Sequence, residues 1–142
     1  ELRRQLGIEE RVLLPGFVAE PLARAACFDL FIMSSAEEGL GTAILDAMAM
    51  GQAVVATAAG GIPDAVVDRE TGRLVPPKDV EGLAQAMASL LGDGELRRRY
   101  GEAGRKRVEE HFEVHRTVSL TLSAYRELLG NSLAESPASS RY

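Results

Sequence analysis

Short apolar runs alternate with helical patterns along most of the chain. Runs of strand length fall at Arg11-Val-Leu-Leu14, Asp29-Leu-Phe-Ile-Met33, Ala53-Val-Val-Ala-Thr57 and Arg73-Leu-Val75, and the stretches between them carry helix start and stop signals. Strands alternating with helices are the sequence form of βαβ units, so the pattern predicts an α/β domain with a parallel sheet of about four strands and flanking helices. The opening helix ends at Gly7, a left-handed cap position. Pro21 starts a short helix over Leu22 to Ala26, Thr42 to Met50 is closed by Gly51, and Pro63 to Val67 forms another brief helix. Pro76-Pro77 stops the fourth run. Asp79 then caps a helix in which Val80, Leu83, Ala84, Met87, Leu90 and Leu91 recur at helical spacing up to Gly92.

Beyond Gly92 the character changes. Glu95 to Glu110 is highly charged, with Glu95 and Arg99, Glu102 and Lys106, and Arg105 and Glu109 at the i,i+4 spacing that supports an exposed helix. The segment reads as mostly a solvated face, although its basic cluster Arg97, Arg98, Arg99, Arg105, Lys106 and Arg107 offers an alternative surface for anionic lipid or phosphate. A last helix runs from about Val114 to Leu129, with Val118, Leu122, Tyr125 and Leu129 forming an apolar stripe that needs a surface to cover. Residues 1–130 are expected to form one domain. The Ser, Ala and Pro content of Asn131 to Tyr142 predicts a disordered tail.

Composition narrows the function classes. A net charge of -5 gives no electrostatic reason for nucleic-acid binding. The single cysteine, Cys27, cannot form an intrachain disulfide; a reducing, cytoplasmic setting and a place as small core filler are expected for it. No apolar run approaches the ~20 residues of a membrane span, which leaves peripheral contact as the only membrane association the sequence invites. The chain does not begin with methionine and starts inside a helix, and both features suggest a truncated product. His111 and His115 stand four apart without a recognisable ligand set around them, and no nucleophilic triad is visible.

The chemistry concentrates in Ser34-Ser-Ala-Glu-Glu38-Gly-Leu-Gly-Thr42-Ala-Ile-Leu-Asp46-Ala-Met-Ala-Met-Gly51. Glu38 precedes Gly39 and Gly41, where a backbone can approach a ligand closely. The first turn of the Thr42 helix exposes unpaired N–H groups and the positive end of its dipole, so a phosphate there meets donors from Gly41, Thr42 and Ala43. Helical side chains lean toward the N-terminus, which lets Asp46 reach the same mouth and accept hydrogen bonds from a vicinal diol. The plainer reading makes Glu38 a solvated loop residue and Asp46 an exposed helix residue. Gly60-Gly61, after the third run, is equally a close-approach loop and a turn required by geometry.

Flanking motifs favour the first reading. The Glu38 to Gly51 segment is followed by Ala59-Gly-Gly-Ile-Pro-Asp64-Ala-Val-Val-Asp68, Glu70-Thr-Gly-Arg-Leu-Val-Pro-Pro77 and Leu83-Ala-Gln-Ala, and preceded by Arg11-Val-Leu-Leu-Pro-Gly-Phe17; Glu102-Ala-Gly-Arg-Lys-Arg-Val108 comes later. Together these resemble the C-terminal, donor-binding domain of the retaining family 4 glycosyltransferases, also called glycosyl transferases group 1, from Leu2 to about Leu129. The resemblance implies a Rossmann-like, incomplete GT-B C-terminal domain. It implies transfer of a sugar from a nucleotide diphosphate sugar to an acceptor with retention of configuration, without a bound metal or other cofactor.

What the family implies falls on matching positions. In its Glu-x7-Glu pattern the first glutamate, matched by Glu38, contacts the donor hexose and is the residue to which catalysis is assigned. Backbone around the positions matched by Gly39, Leu40, Gly41 and Thr42 meets the hexose and diphosphate. The second glutamate contacts the ribose; here Asp46 departs from the pattern and shortens the reach by about 1.5 Å. Gly16 and Phe17 match the region near the base. The family's first two strands, with a Gly-Arg segment, a lysine and a Gly-Asp-Gly turn, have no counterpart in these residues, nor has its N-terminal, acceptor-binding domain. In a sheet of order 3-2-1-4-5-6 the runs present are then strands 3, 4, 5 and 6. The Val12 to Leu14 run is therefore expected either to pair directly with Leu30 to Met33 or to rely on a partner segment. The readings left open are a transferase fragment inactive alone, a non-catalytic nucleotide-sugar-binding module, and an interaction module docking through the C-terminal stripe.

Overall fold

A computed structural model describes residues 1–134 of the chain. Its elements follow in the order α1 (Leu2–Gln5), α2 (Pro21–Ala25), β1 (Phe31–Met33), α3 (Thr42–Ala49), β2 (Val54–Thr57), α4 (Ile62–Ala65), β3 (Arg73–Val75), α5 (Val80–Gly92), α6 (Gly94–His111) and α7 (Val114–Ala134). The strands form one sheet in the order β1-β2-β3. Both pairings are parallel, with Ile32 opposite Val55 and Ala56 opposite Leu74.

The central strand explains its own composition. All four residues of β2 are buried, because helices cover both faces of the sheet, and a strand buried on both sides reads as a continuous apolar run. On one face Val54 and Ala56 pack with Ile44, Ala47 and Met48 of α3 and with Ile62 and Ala65 of α4. On the other, Val55 packs with Val75, with Ala86 and Leu90 of α5, and with Tyr100 of α6. Each such large apolar side chain, once removed from water, contributes roughly 1.5–3 kcal/mol.

Helix ends follow the sequence signals closely. The α3 helix stops in a Schellman motif: Gly51 has φ +76°, its N–H donates to the Met48 carbonyl at 2.9 Å, and Gln52 N–H donates to the Ala47 carbonyl at 3.0 Å. The Asp79 carboxylate accepts from Gly82 N–H at 2.8 Å and caps α5 as expected. Asp93 performs the same service for α6 through Leu96 N–H at 2.9 Å, a cap not anticipated from the sequence. Gly7 has φ +64°, the left-handed conformation expected after α1.

Three expectations are corrected. The Arg11 to Leu14 run forms no strand and does not pair with β1, so three of the four expected strands are present. A strand exists only through its ladder, and none lies beside this segment; Leu13 is 84% exposed, and Val12 is tethered instead by Arg3, which donates to its carbonyl at 2.6 Å. Cys27 lies beyond the end of α2 and is exposed, not core filler. The α6 helix is more than a solvated face: Tyr100, Gly101 and Gly104 are buried, and a Cβ on Gly101 would lie 2.0 Å from the Gly51 carbonyl, so only glycine lets α6 approach α3 there. The α7 helix runs to Ala134; most of the expected tail, residues 135–142, lies outside the described residues. The exposed Val118, Leu122, Tyr125 and Leu129 leave the α7 stripe uncovered.

The basic cluster of α6 is committed to its own surroundings. Arg98 donates to Glu95 and to Glu102, each at 2.8 Å, and these bonds hold its pKa above the usual guanidinium value. Arg105 pairs with Glu109 and Lys106 with Glu110. Arg97 caps the last carbonyls of α5, at Leu90 and Leu91, while Arg107 donates to the carbonyls of Asp64 and Ala65 at the end of α4. Arg99 lies over the Tyr100 ring, 5.5 Å from its centroid.

Candidate functional site

The candidate loop springs from the carboxyl end of β1, where parallel sheets place their ligand-binding crevices. Residues 34–41 connect β1 to α3, and the neighbouring strand and loop fix them from two sides. Buried Thr57, the last residue of β2, donates its hydroxyl to the Ser35 carbonyl at 2.6 Å. The loop after β2 supplies Gly60 and Gly61. A Cβ on Gly60 would lie 1.7 Å from the Glu38 carbonyl oxygen, and one on Gly61 would lie 2.6 Å from the Gly39 carbonyl, whose oxygen accepts from Gly61 N–H at 2.7 Å. The glycine pair is therefore a close-approach loop, and what approaches is the backbone of the Glu38 loop.

Within that frame the half-buried Glu38 carboxylate is held by near neighbours. One oxygen accepts from the Ser35 hydroxyl at 3.2 Å and the other from Gly39 N–H at 3.1 Å. Gly39 is exposed, with open space where a side chain would stand, and Leu40 is also exposed. Gly41 is buried at the N-cap of α3 with φ +68°, a conformation that favours glycine. No side chain caps this helix. Ile44 N–H turns back to the Gly41 carbonyl at 2.8 Å, and the N–H groups of exposed Thr42 and Ala43 are the first-turn donors with no intrahelical acceptor.

Asp46 sits one turn further along α3. It is exposed and lines a groove of about 160 Å³ between α2 and α3, together with Pro21, Leu22, Ala25, Ala43, Ala47 and Met50. Glu38 is not part of that lining. Of the two carboxylates, only Asp46 belongs to this groove. Gly16 has φ +69° and Phe17 is 97% exposed, so both stand in an open loop that packs against nothing. Among the described residues neither Glu38 nor Asp46 has an ion-pair partner.

The structure adds residues that the sequence reading passed over. Ser35 lies three positions before Glu38 in the same loop and donates its hydroxyl to the Glu38 carboxylate, a contact that the spacing alone does not announce. Thr57 shows itself as the one polar residue ending an apolar strand. Gln52, whose Nε2 donates to the carbonyls of Ala25 and Phe28, gives no local signal at all, because its partners lie more than twenty residues away.

The arrangement offers unpaired backbone donors and a positive helix end, with one carboxylate on the loop before it and another one turn inside the helix, at the carboxyl edge of a parallel sheet. Donors of that kind suit phosphate oxygens, while the carboxylates suit hydroxyl groups. The profile of the family described as "Glycosyl transferases group 1" matches residues 1–107, and the chain belongs to that family. It is 38% identical over 132 residues to N-acetyl-alpha-D-glucosaminyl L-malate synthase of Bacillus anthracis, covering 91% of this chain and 34% of that protein. Among solved structures, sucrose-phosphate synthase from Thermosynechococcus elongatus aligns with TM-score 0.84 and 32% identity, over 92% of this chain and 33% of that one. The HepE protein of Anabaena in complex with UDP-glucose aligns with TM-score 0.79 and 28% identity, over 86% of this chain and 35% of that one. The fold is thus that of GT-B glycosyltransferase C-terminal domains, and the chain spans about one third of the length of the curated relatives it matches.

Proposed function

We propose that this chain is the donor-binding part of a retaining, family 4 hexosyltransferase. It holds a nucleotide diphosphate sugar across the N-terminus of α3, for transfer to an acceptor bound by another part of the protein. The observation that carries the reading is the construction of the Glu38 to Thr42 segment. A carboxylate is fixed by Ser35 and Gly39 beside two first-turn N–H groups that nothing caps. In this reading the diphosphate meets the Thr42 and Ala43 amides and the Gly41 turn, and Glu38 accepts hydrogen bonds from hexose hydroxyls. Asp46 accepts from the ribose along the α2–α3 groove. Gly16 and Phe17 stand on the side of the base.

Because the groups placed here bind and orient rather than attack, the chain's contribution to the reaction is positioning and stabilisation of charge on the leaving diphosphate. Reaction without metal or cofactor belongs to the same proposal, with the remaining positive charge supplied from outside these residues. The chain alone would then be inactive. Its similarity to a protein crystallised with UDP-glucose supports a nucleotide sugar as the ligand class. The setting proposed is cytoplasmic, with peripheral membrane contact open to the whole protein; among the described residues no helix is long and apolar enough to cross a membrane. The experiment is sugar transfer by the full-length protein carrying Glu38→Ala. Loss of turnover with retained folding is expected, and unchanged transfer would overturn the proposal.

A further inference from the structure

Gln52 stands outside the loop and helix assigned to the donor, yet it holds one wall of the site. Gln52 is buried, 7% exposed, in the link between α3 and β2. Its Nε2 donates to the Ala25 carbonyl and, at 3.0 Å, to the Phe28 carbonyl. Among the described residues these are the only hydrogen bonds that tie residues 21–28 to the rest of the molecule; the others made by this segment close its own turns. The α2 helix buries none of its residues, so no core of its own fixes it in place. Yet Pro21, Leu22 and Ala25 form the wall of the groove that faces Ala43, Asp46, Ala47 and Met50 of α3.

The amide at this position comes at a cost that packing does not explain. Gln52 Oε1 is buried without a hydrogen-bond partner, and an unsatisfied buried acceptor is destabilising where an apolar side chain of the same shape would not be. The stabilising role of the residue therefore lies in its nitrogen. We propose that Gln52 is a positioning residue that latches α2 to the core and so keeps the groove beside Asp46 formed before the ligand arrives. The proposal rests on the reading of that groove as the nucleoside end of the donor site. A wall already in place removes the need to order residues 21–28 on binding.

The molecule carries its own probe. Cys27, exposed and the only cysteine, lies between the two latched carbonyls, so a nitroxide on its sulfur reports the motion of this segment. The test uses the full 142-residue chain and Gln52→Met, which keeps the volume and removes the donor. The expected results are a more mobile spectrum for the variant and faster amide exchange at Ala26, Cys27 and Phe28, with exchange at Val54–Thr57 unchanged. Equal acceleration at both places would mean that Gln52 supports the whole fold rather than this segment, and would overturn the latch, as would an unchanged spectrum.

Titration with UDP separates the latch from the reading beneath it. If the released wall is in place only a tenth to a third of the time, the apparent Kd for UDP rises about three- to tenfold. Equal affinity in both proteins despite a mobile segment would overturn the positioning role. Absence of UDP binding by the unaltered chain would count against the donor-site reading, while the spectra would still decide the latch.

Discussion

Replacing Gly60 by alanine isolates the contact that sets the height of Glu38. The new Cβ would lie 1.7 Å from the Glu38 carbonyl oxygen and must retreat to about 3.0 Å, the shortest separation real Cβ atoms show. The obstacle is backbone on both sides, so the Glu38 loop itself has to shift by an ångström or so. Alanine also adopts the φ of +52° found here at a cost of about 1–2 kcal/mol. Gly51→Ala provides the control: its φ is +76°, and a Cβ there meets nothing within 4 Å. Gly51→Ala should lose about 3–8 °C in Tm, the range expected for that conformational cost in a domain of this size, and Gly60→Ala, which also displaces backbone, should lose more. Only Gly60→Ala should also lose function, because a misplacement of about 1 Å at a reacting centre costs on the order of 100-fold in rate. The assay is kcat/KM for the donor in the full-length protein, measured per folded molecule beside calorimetric Tm. Equal transfer rates for the two variants would refute the claim that the glycine pair positions Glu38.

Further consequences concern the ligand and the scaffold. Asp46→Glu lengthens the reach by about 1.5 Å and should change the donor KM without changing kcat, since a ribose contact is made equally in ground and transition states; a change confined to kcat would contradict that role. Asp79→Ala removes the α5 cap and should cost about 1 kcal/mol by urea denaturation, whereas no loss would mean that the Gly82 bond contributes nothing. Gly101→Ala drives a side chain into the Gly51 carbonyl and should lower stability by about 1–3 kcal/mol as overpacking does, an effect read from the denaturation midpoint. Arg107→Ala leaves the Asp64 and Ala65 carbonyls without their donor and should cost roughly 1–3 kcal/mol, with faster amide exchange confined to residues 62–66.

Much of this architecture was legible because local chemistry and global fold agree. The β2 run is apolar up to its last residue, Thr57, because both faces are covered, and the caps at Gly51 and Asp79 follow from residue type alone. The Glu38 to Thr42 loop was legible for the same reason, since glycines and an uncapped helix start announce a backbone surface. Failure came wherever a long-range partner decides the outcome. Leu13 and Leu14 have strand-forming chemistry, but a strand needs a neighbour and β1 does not provide one to them. The groove that Asp46 lines with Pro21, Leu22 and Ala25 of α2 has no local signal either, since its two walls come from separate parts of the chain. Arg107 reads as one more cation in a charged helix, and only the fold reveals that two carbonyls of α4 lie under it. Gln52 is the extreme case, its meaning carried wholly by carbonyls far away in sequence.

The donor-site assignment is tested most directly by following the backbone amides of this chain by NMR as UDP-glucose is added. Shifts centred on Leu40 to Ala43, with a second group at Asp46 and Met50, are the expected result. A chain that binds the nucleotide sugar through another surface, leaving those amides unmoved at saturation, would contradict the account.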